Sequence, residues 1–128
     1  MTTGQPLPIR GIRLRIFISE AQEWQGKLLS RAILELAQQQ GIAGATVLRG
    51  IEGFGPEHHL STERLPDISD NLPIIVEIVE SDERIEALLP LLDRLVQRGM
   101  ITVRNLAMDG LHILAVRMTD SLSPPGVP

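Results

Sequence analysis

A chain of 128 residues with 43% hydrophobic and 22% charged side chains suits one domain around one modest core. Its formal charge of −4 and aromatic content of 2% argue against a nucleic-acid binder, which needs basic surface and stacking rings. The lack of cysteine excludes disulfides, thiolate zinc sites and cysteine nucleophiles. No apolar run approaches the roughly 20 residues of a membrane span and no signal-peptide pattern opens the chain, so a soluble, cytoplasmic protein is expected.

Residues 1–10, with Gly4, Pro6 and Pro8, read as a flexible lead-in. Ile12, Leu14, Ile16 and Ile18 then alternate with Arg13, Arg15 and Phe17, the period of a strand. Ser19 to Gln25 is polar apart from Ala21 and Trp24. From Lys27 to Gln40, Leu29, Ala32, Ile33, Leu36 and Ala37 recur at helical spacing, and Gly41 is placed to end that helix. Ala45 to Ile51 reads as a second strand rich in β-branched residues. A glycine cluster, Gly50, Gly53 and Gly55, opens a polar segment without clear periodicity that continues to about Asn71. So long a loop in so small a domain is seldom a plain connector. Leu72 to Glu80 predicts a third strand, after which Ser81 can cap a helix with Asp82 and Glu83 near its positive end. Ile85, Leu88, Leu89, Leu92, Leu95 and Val96 form the stripe of that helix. Pro90 lies inside it, implying a kink or a later start, of which the kink is the reading preferred. Gly99 is expected to close the helix. Strands follow at Met100–Leu106 and Leu111–Met118 around an Asp109-Gly110 turn, and 119–128 is a flexible tail.

The order strand–helix–strand, long loop, strand–helix–strand predicts an α+β, ferredoxin-like βαββαβ sandwich over residues 11–118. One antiparallel sheet would carry two helices on one face, with an added C-terminal strand. Several strands are nonetheless apolar on both faces: Ile75 and Val79 oppose Ile74, Val76 and Ile78, and Phe17 opposes Leu14 and Ile16. An exposed patch of that size predicts an oligomer whose sheets pack together, with the last strand helping the contact.

Four stretches carry a family resemblance: Ile12-Arg-Leu-Arg-Ile16, Gly44-Ala-Thr-Val-Leu-Arg-Gly-Ile-Glu-Gly-Phe-Gly55, Leu72-Pro-Ile-Ile-Val-Glu-Ile-Val79 and Leu89-Pro-Leu-Leu-Asp93. With their spacing they cover roughly residues 11 to 107, and the second is the most specific. The chain resembles the PII-like signalling superfamily, most closely its small uncharacterised bacterial branch. That resemblance implies a homotrimer with small-molecule sites in clefts between subunits. It also implies a mobile loop, here 51–70, that reports occupancy to a partner protein such as a transporter or an enzyme. Members that bind ATP or ADP carry a glycine- and lysine-rich loop after the second helix. Here that place holds Gln97-Arg-Gly-Met-Ile101, with no lysine, and Arg117 is the one counterpart to their C-terminal basic residues.

Several residues are candidates for chemistry. Backbone N–H groups at Gly50, Gly53 and Gly55 can form an anion-binding nest beside Arg49, or the glycines can simply let the chain turn out of the sheet. The first reading puts an anionic effector, with ATP, ADP and AMP among the candidates, at the loop base. Glu52, Phe54, Glu57, His58 and His59 lie on the loop that would meet a partner protein. His58 and His59, with Glu57, Glu63 and Asp67 nearby, can alternatively hold a divalent metal, the chemistry of a related metal-tolerance branch, or can be solvated loop histidines. Trp24 either plugs the helix–sheet junction or stacks on a ligand. Arg13 and Arg15 either line an intersubunit cleft or pair with Glu77. Ser61, His59 and Asp67 come without a nucleophile elbow or oxyanion device, so no enzyme is expected.

Overall fold

The computed structural model describes residues 11–64 and 71–106, and the backbone of 112–118. The lead-in 1–10, the loop exit 65–70 with Asp67, the Asp109-Gly110 turn, the Arg117 side chain and the tail lie outside the described residues.

Alternation of apolar side chains sets the first strand, β1 (Ile12–Ser19), whose even-numbered residues are buried and odd-numbered ones half-exposed. A short hairpin, β2 (Glu23–Trp24) and β3 (Lys27–Leu28), precedes α1 (Leu29–Gln39). Gln25 and Gly26 turn that hairpin with φ of 51° and 83°. Helix α1 therefore starts two residues after the Lys27 expected from periodicity, because the backbone of Lys27 and Leu28 is committed to strand pairing. Trp24 packs against the core, as a plug between helix and sheet. Gly41, at φ 73°, ends α1 in the left-handed conformation.

Next come β4 (Ala45–Arg49), β5 (Glu52–Gly53), β6 (Ser61–Thr62), β7 (Pro73–Glu80), α2 (Asp82–Leu95), β8 (Met100–Asn105) and β9 (His112–Met118). The main sheet is antiparallel in the order β4-β7-β1-β8-β9, the ferredoxin-like arrangement with one added edge strand. Both helices lie on one face. Ile33 and Ala37 of α1, and Ile85, Leu88 and Leu92 of α2, close over Leu14, Ile16, Val76, Ile78 and Ile101 in one aliphatic core. Each fully buried Leu or Ile contributes about 1.5–3 kcal/mol relative to an exposed one.

Ser81 caps α2 by accepting from the Arg84 backbone N–H at 3.4 Å. The helix runs from Asp82 to Leu95 with Pro90 inside it, so a later start is excluded. It does not reach Gly99. Val96, fully buried, leaves the helical conformation at φ −94° and ψ 92° and pulls the chain back toward the core. Gly99 sits beyond it at φ 149°, entering β8.

Glu80 ties two connections together at the end of β7. Its Oε1 accepts from the Ala43 N–H at 2.8 Å and its Oε2 from the Ser81 N–H at 3.1 Å, while Arg84 donates to the Gly41 carbonyl. The Ala43 bond, then the Ser81 bond, holds the Glu80 carboxyl below its ordinary value of 4.5. A depressed carboxyl stabilises the fold fully above its unfolded value, and the contribution disappears as pH falls through the folded one. The thermal midpoint of the native protein should therefore fall more steeply between about pH 5 and pH 3 than that of Glu80→Gln. Parallel melting curves for the two proteins across that interval would show the carboxylate to be without effect.

Candidate functional site

The loop leaves the sheet at Arg49, the last residue of β4, and its base is built of charge pairs. Arg49 Nε donates to Glu20 Oε2 at 2.8 Å, and its Nη1 lies 3.6 Å from Glu63 Oε1. Glu20 follows β1 directly, and its backbone N–H donates to the Leu72 carbonyl at 2.8 Å. Asn71 Oδ1 accepts from the Ala21 N–H at 3.1 Å. One arginine thus spans the start of the loop, its returning arm and the end of β1.

Gly50 and Gly53 are explained by close approach. A Cβ at either would fall 2.9 or 3.0 Å from Pro73 Cγ, so both backbones lie against the proline ring. The Gly50 N–H donates to the Pro73 carbonyl at 2.7 Å. Gly55 has open space around it, and none of the three takes a positive φ. The left-handed residue of this loop is His58, at φ 60°.

Where the sequence lacks periodicity, the structure has the β5–β6 ladder, pairing Glu52 with Thr62 and Gly53 with Ser61. The buried residues of this hairpin are Ser61 and Thr62, polar side chains with no hydrophobic signature. At its far end the chain folds back: the His58 N–H donates to the Gly55 carbonyl at 2.8 Å, and the His58 ring stacks on Phe54 at 5.5 Å. Ile51, Phe54 and Leu60 are 56%, 65% and 50% exposed, an apolar surface on the loop.

Two further ion pairs fasten the loop. Glu52 meets Arg64 at 3.5 Å, and Glu57 meets Arg98 at 2.7 Å. Arg98 lies between α2 and β8, and its carbonyl accepts from Gln22 Nε2 at 2.9 Å. Arg49, Gly50 and Gly53 are therefore gathered at the loop base, whereas Phe54, Gly55, Glu57 and His58 form the turned-back part. His58 and His59 are adjacent, and among the described residues no group of three or more His, Cys, Asp or Glu is placed to hold a metal. Glu20 and Arg98 are the site residues that sequence reasoning missed. Both sit in short connectors without a motif, and each meets a partner at least 29 positions away.

Arg15 pairs with Glu77 at 2.7 Å on the sheet face away from the helices, as one of the two readings expected. Arg13 does not reach that carboxylate; its cross-strand neighbours are Val79 and Arg104. On the same face, Leu48, Ile75, Phe17 and Met100 line up across four strands as register partners. Among the described residues, no helix is long and apolar enough to cross a membrane.

Residues 11–108 match the DUF190 family, described as Uncharacterized ACR, COG1993. A UPF0166 protein of Aquifex aeolicus is 38% identical over 76 residues, covering 59% of this chain and 72% of the relative. A UPF0166 protein of Methanocaldococcus jannaschii is 33% identical over 93 residues, 72% of this chain and 85% of that one. Among solved structures, the chain is similar to CPII of Thiomonas intermedia K12, a nitrogen regulatory PII-like protein bound to ADP, AMP and bicarbonate. That match has a TM-score of 0.57 and 18% identity over 75% of this chain and 85% of CPII, a likeness of fold. By sequence the chain belongs to the DUF190 family, and its ferredoxin-like fold is that of the PII-like proteins.

Proposed function

We propose that the protein is a non-enzymatic, cytoplasmic PII-like regulator. It binds a small anionic effector, an adenine nucleotide (ATP, ADP or AMP) in the specific form, at clefts between subunits of a homotrimer. The observation that carries this reading is how the loop is fastened: Arg49 and Arg98 hold it to the body through carboxylates, Glu63 and Glu57, at exposed ion pairs. Each such pair contributes only about 0–1 kcal/mol, so an anion that takes over either guanidinium shifts the loop population. No chemical step is required. The released surface, Ile51, Phe54 and Leu60 with Glu52, Glu57 and His59, is what a protein target such as a transporter or an enzyme would read. The nucleotides in CPII support the effector class, and the apolar row Leu48–Ile75–Phe17–Met100 supports assembly through the sheet.

The test is a thermal-shift panel of ATP, ADP, AMP, bicarbonate and zinc on the purified protein, with its mass measured in solution. The expected result is a threefold mass and a rise in midpoint with an adenine nucleotide. Arg49→Ala or deletion of 56–66 should abolish the rise, and the nucleotide should be recovered unchanged. No response to any nucleotide, or an equal response in Arg49→Ala, would sink the effector reading, and a monomer at micromolar concentration would sink the trimer. A zinc response lost in a His58→Ala/His59→Ala variant would favour the metal-binding alternative instead.

A further inference from the structure

The outer sheet face carries a second basic feature, about 13 Å along β1 from the apolar row at Phe17. Arg13 on β1 and Arg104 on β8 are direct cross-strand partners. Cβ atoms in such a pair stand about 4.5–5.5 Å apart, and like charges placed there are destabilising. Neither arginine has an ion pair among the described residues, whereas Arg15, in the next row, is neutralised by Glu77 at 2.7 Å. The Arg104 Nε is moreover buried and has no hydrogen-bond partner among the described residues. A buried charged donor left without an acceptor is costly, and native structures seldom hold one without a reason.

The surroundings sharpen the charge. Val79, on the other side of Arg13, is exposed and apolar, and Thr102 offers a hydroxyl beside Arg15. Arg13, Arg15 and Arg104 against Glu77 leave two positive charges on this patch, in a chain whose formal charge is −4. Two adjacent guanidinium forks match an oxyanion that accepts from both at once, and a phosphate group does so with matching charge.

We propose that Arg13 and Arg104 form a phosphate-binding site on the sheet face opposite the helices, separate from the loop base at Arg49. Binding there relieves the repulsion between the two guanidiniums and gives Arg104 its missing acceptor once the side chain turns toward the ligand. Inorganic phosphate is the probe, titrated against chloride at constant ionic strength while the melting midpoint is followed. The native protein should show a rise that Arg49→Ala retains, which separates this site from the effector site proposed above. Arg13→Gln and Arg104→Gln should each need at least about tenfold more phosphate for half the rise, about 1.4 kcal/mol of affinity. Arg94→Gln, which removes one exposed charge on α2, should leave the response unchanged. Without phosphate, Arg104→Gln should melt no lower than the native protein, since it removes a repulsion rather than a contact. The site is refuted if the native protein does not respond, or if Arg94→Gln weakens the response as much as Arg13→Gln does. It is equally overturned if the arginine variants melt lower and show a smaller mass without phosphate, the signature of pairing with carboxylates of a second copy.

Discussion

Gly99→Ala is expected to lower the stability of the protein by about 3 kcal/mol, a shift of the melting midpoint of roughly 12 °C for a domain of this size. Two costs combine. The φ of 149° is one that residues with a side chain rarely adopt. A Cβ there would also lie 2.6 Å from the Phe17 carbonyl oxygen, and 3.2 Å from both Ile18 Cγ2 and Val96 Cγ1. The first neighbour is backbone of Phe17, the last residue of β1 to pair with β8 and itself paired with Ile75 of β7, so it cannot rotate away. Relief would require β8 to move from β1, where Phe17 pairs with Met100. Urea denaturation of the two proteins gives the difference directly, and a loss below about 0.5 kcal/mol would show that the chain between α2 and β8 relaxes freely. The consequence extends beyond stability, because Arg98 immediately precedes this glycine and anchors the loop through Glu57.

Pro90→Ala should act in the opposite direction, raising stability by about 2 kcal/mol. An interior proline is about 3 kcal/mol less favourable than alanine in a helix, and the added freedom of the unfolded chain returns up to about 1 kcal/mol of that gain. The ring is exposed, so its removal takes nothing from the core, which α2 meets through Ile85, Leu88 and Leu92. Alanine restores a backbone N–H that can bond to the Glu86 carbonyl one turn earlier. Chemical denaturation measures the gain, and a variant equal to or weaker than the native protein would mean that the proline ring shapes α2 in a way the core requires. The same variant separates stability from the proposed effector response: α2 leads into Arg98, so a stiffer helix that also weakens that response would place Pro90 on the route between them.

The parts of the fold that the sequence made legible are those where one face of an element meets one core. Ile12 to Ile18 alternate because β1 has helices on one side, and Ile85, Leu88 and Leu92 recur because α2 covers the sheet with a single stripe. The errors fell where backbone or polar contacts override that pattern. Lys27 and Leu28 look helical but pair with Glu23 and Trp24, and Gly99 looks like a helix stop although Val96 has already turned the chain inward. The β5–β6 ladder buries Ser61 and Thr62, so it leaves no apolar alternation to read.

At the candidate site the division is similar. Arg49 and the glycines could be singled out from the sequence, since charge and glycine clustering are properties of neighbouring residues. Their roles could not, because they depend on partners distant in the chain: Pro73 against Gly50 and Gly53, Glu20 and Glu63 on Arg49, and Arg98 on Glu57. By itself the sequence determined a ferredoxin-like α+β domain with an aliphatic core and a polar loop after β4, because periodicity and composition are local. Only the tertiary structure decided that the loop base is a proline-packed exit held by exposed ion pairs, and that Arg13 faces Arg104. Contacts between residues tens of positions apart are set by strand register and chain return, which no local pattern encodes.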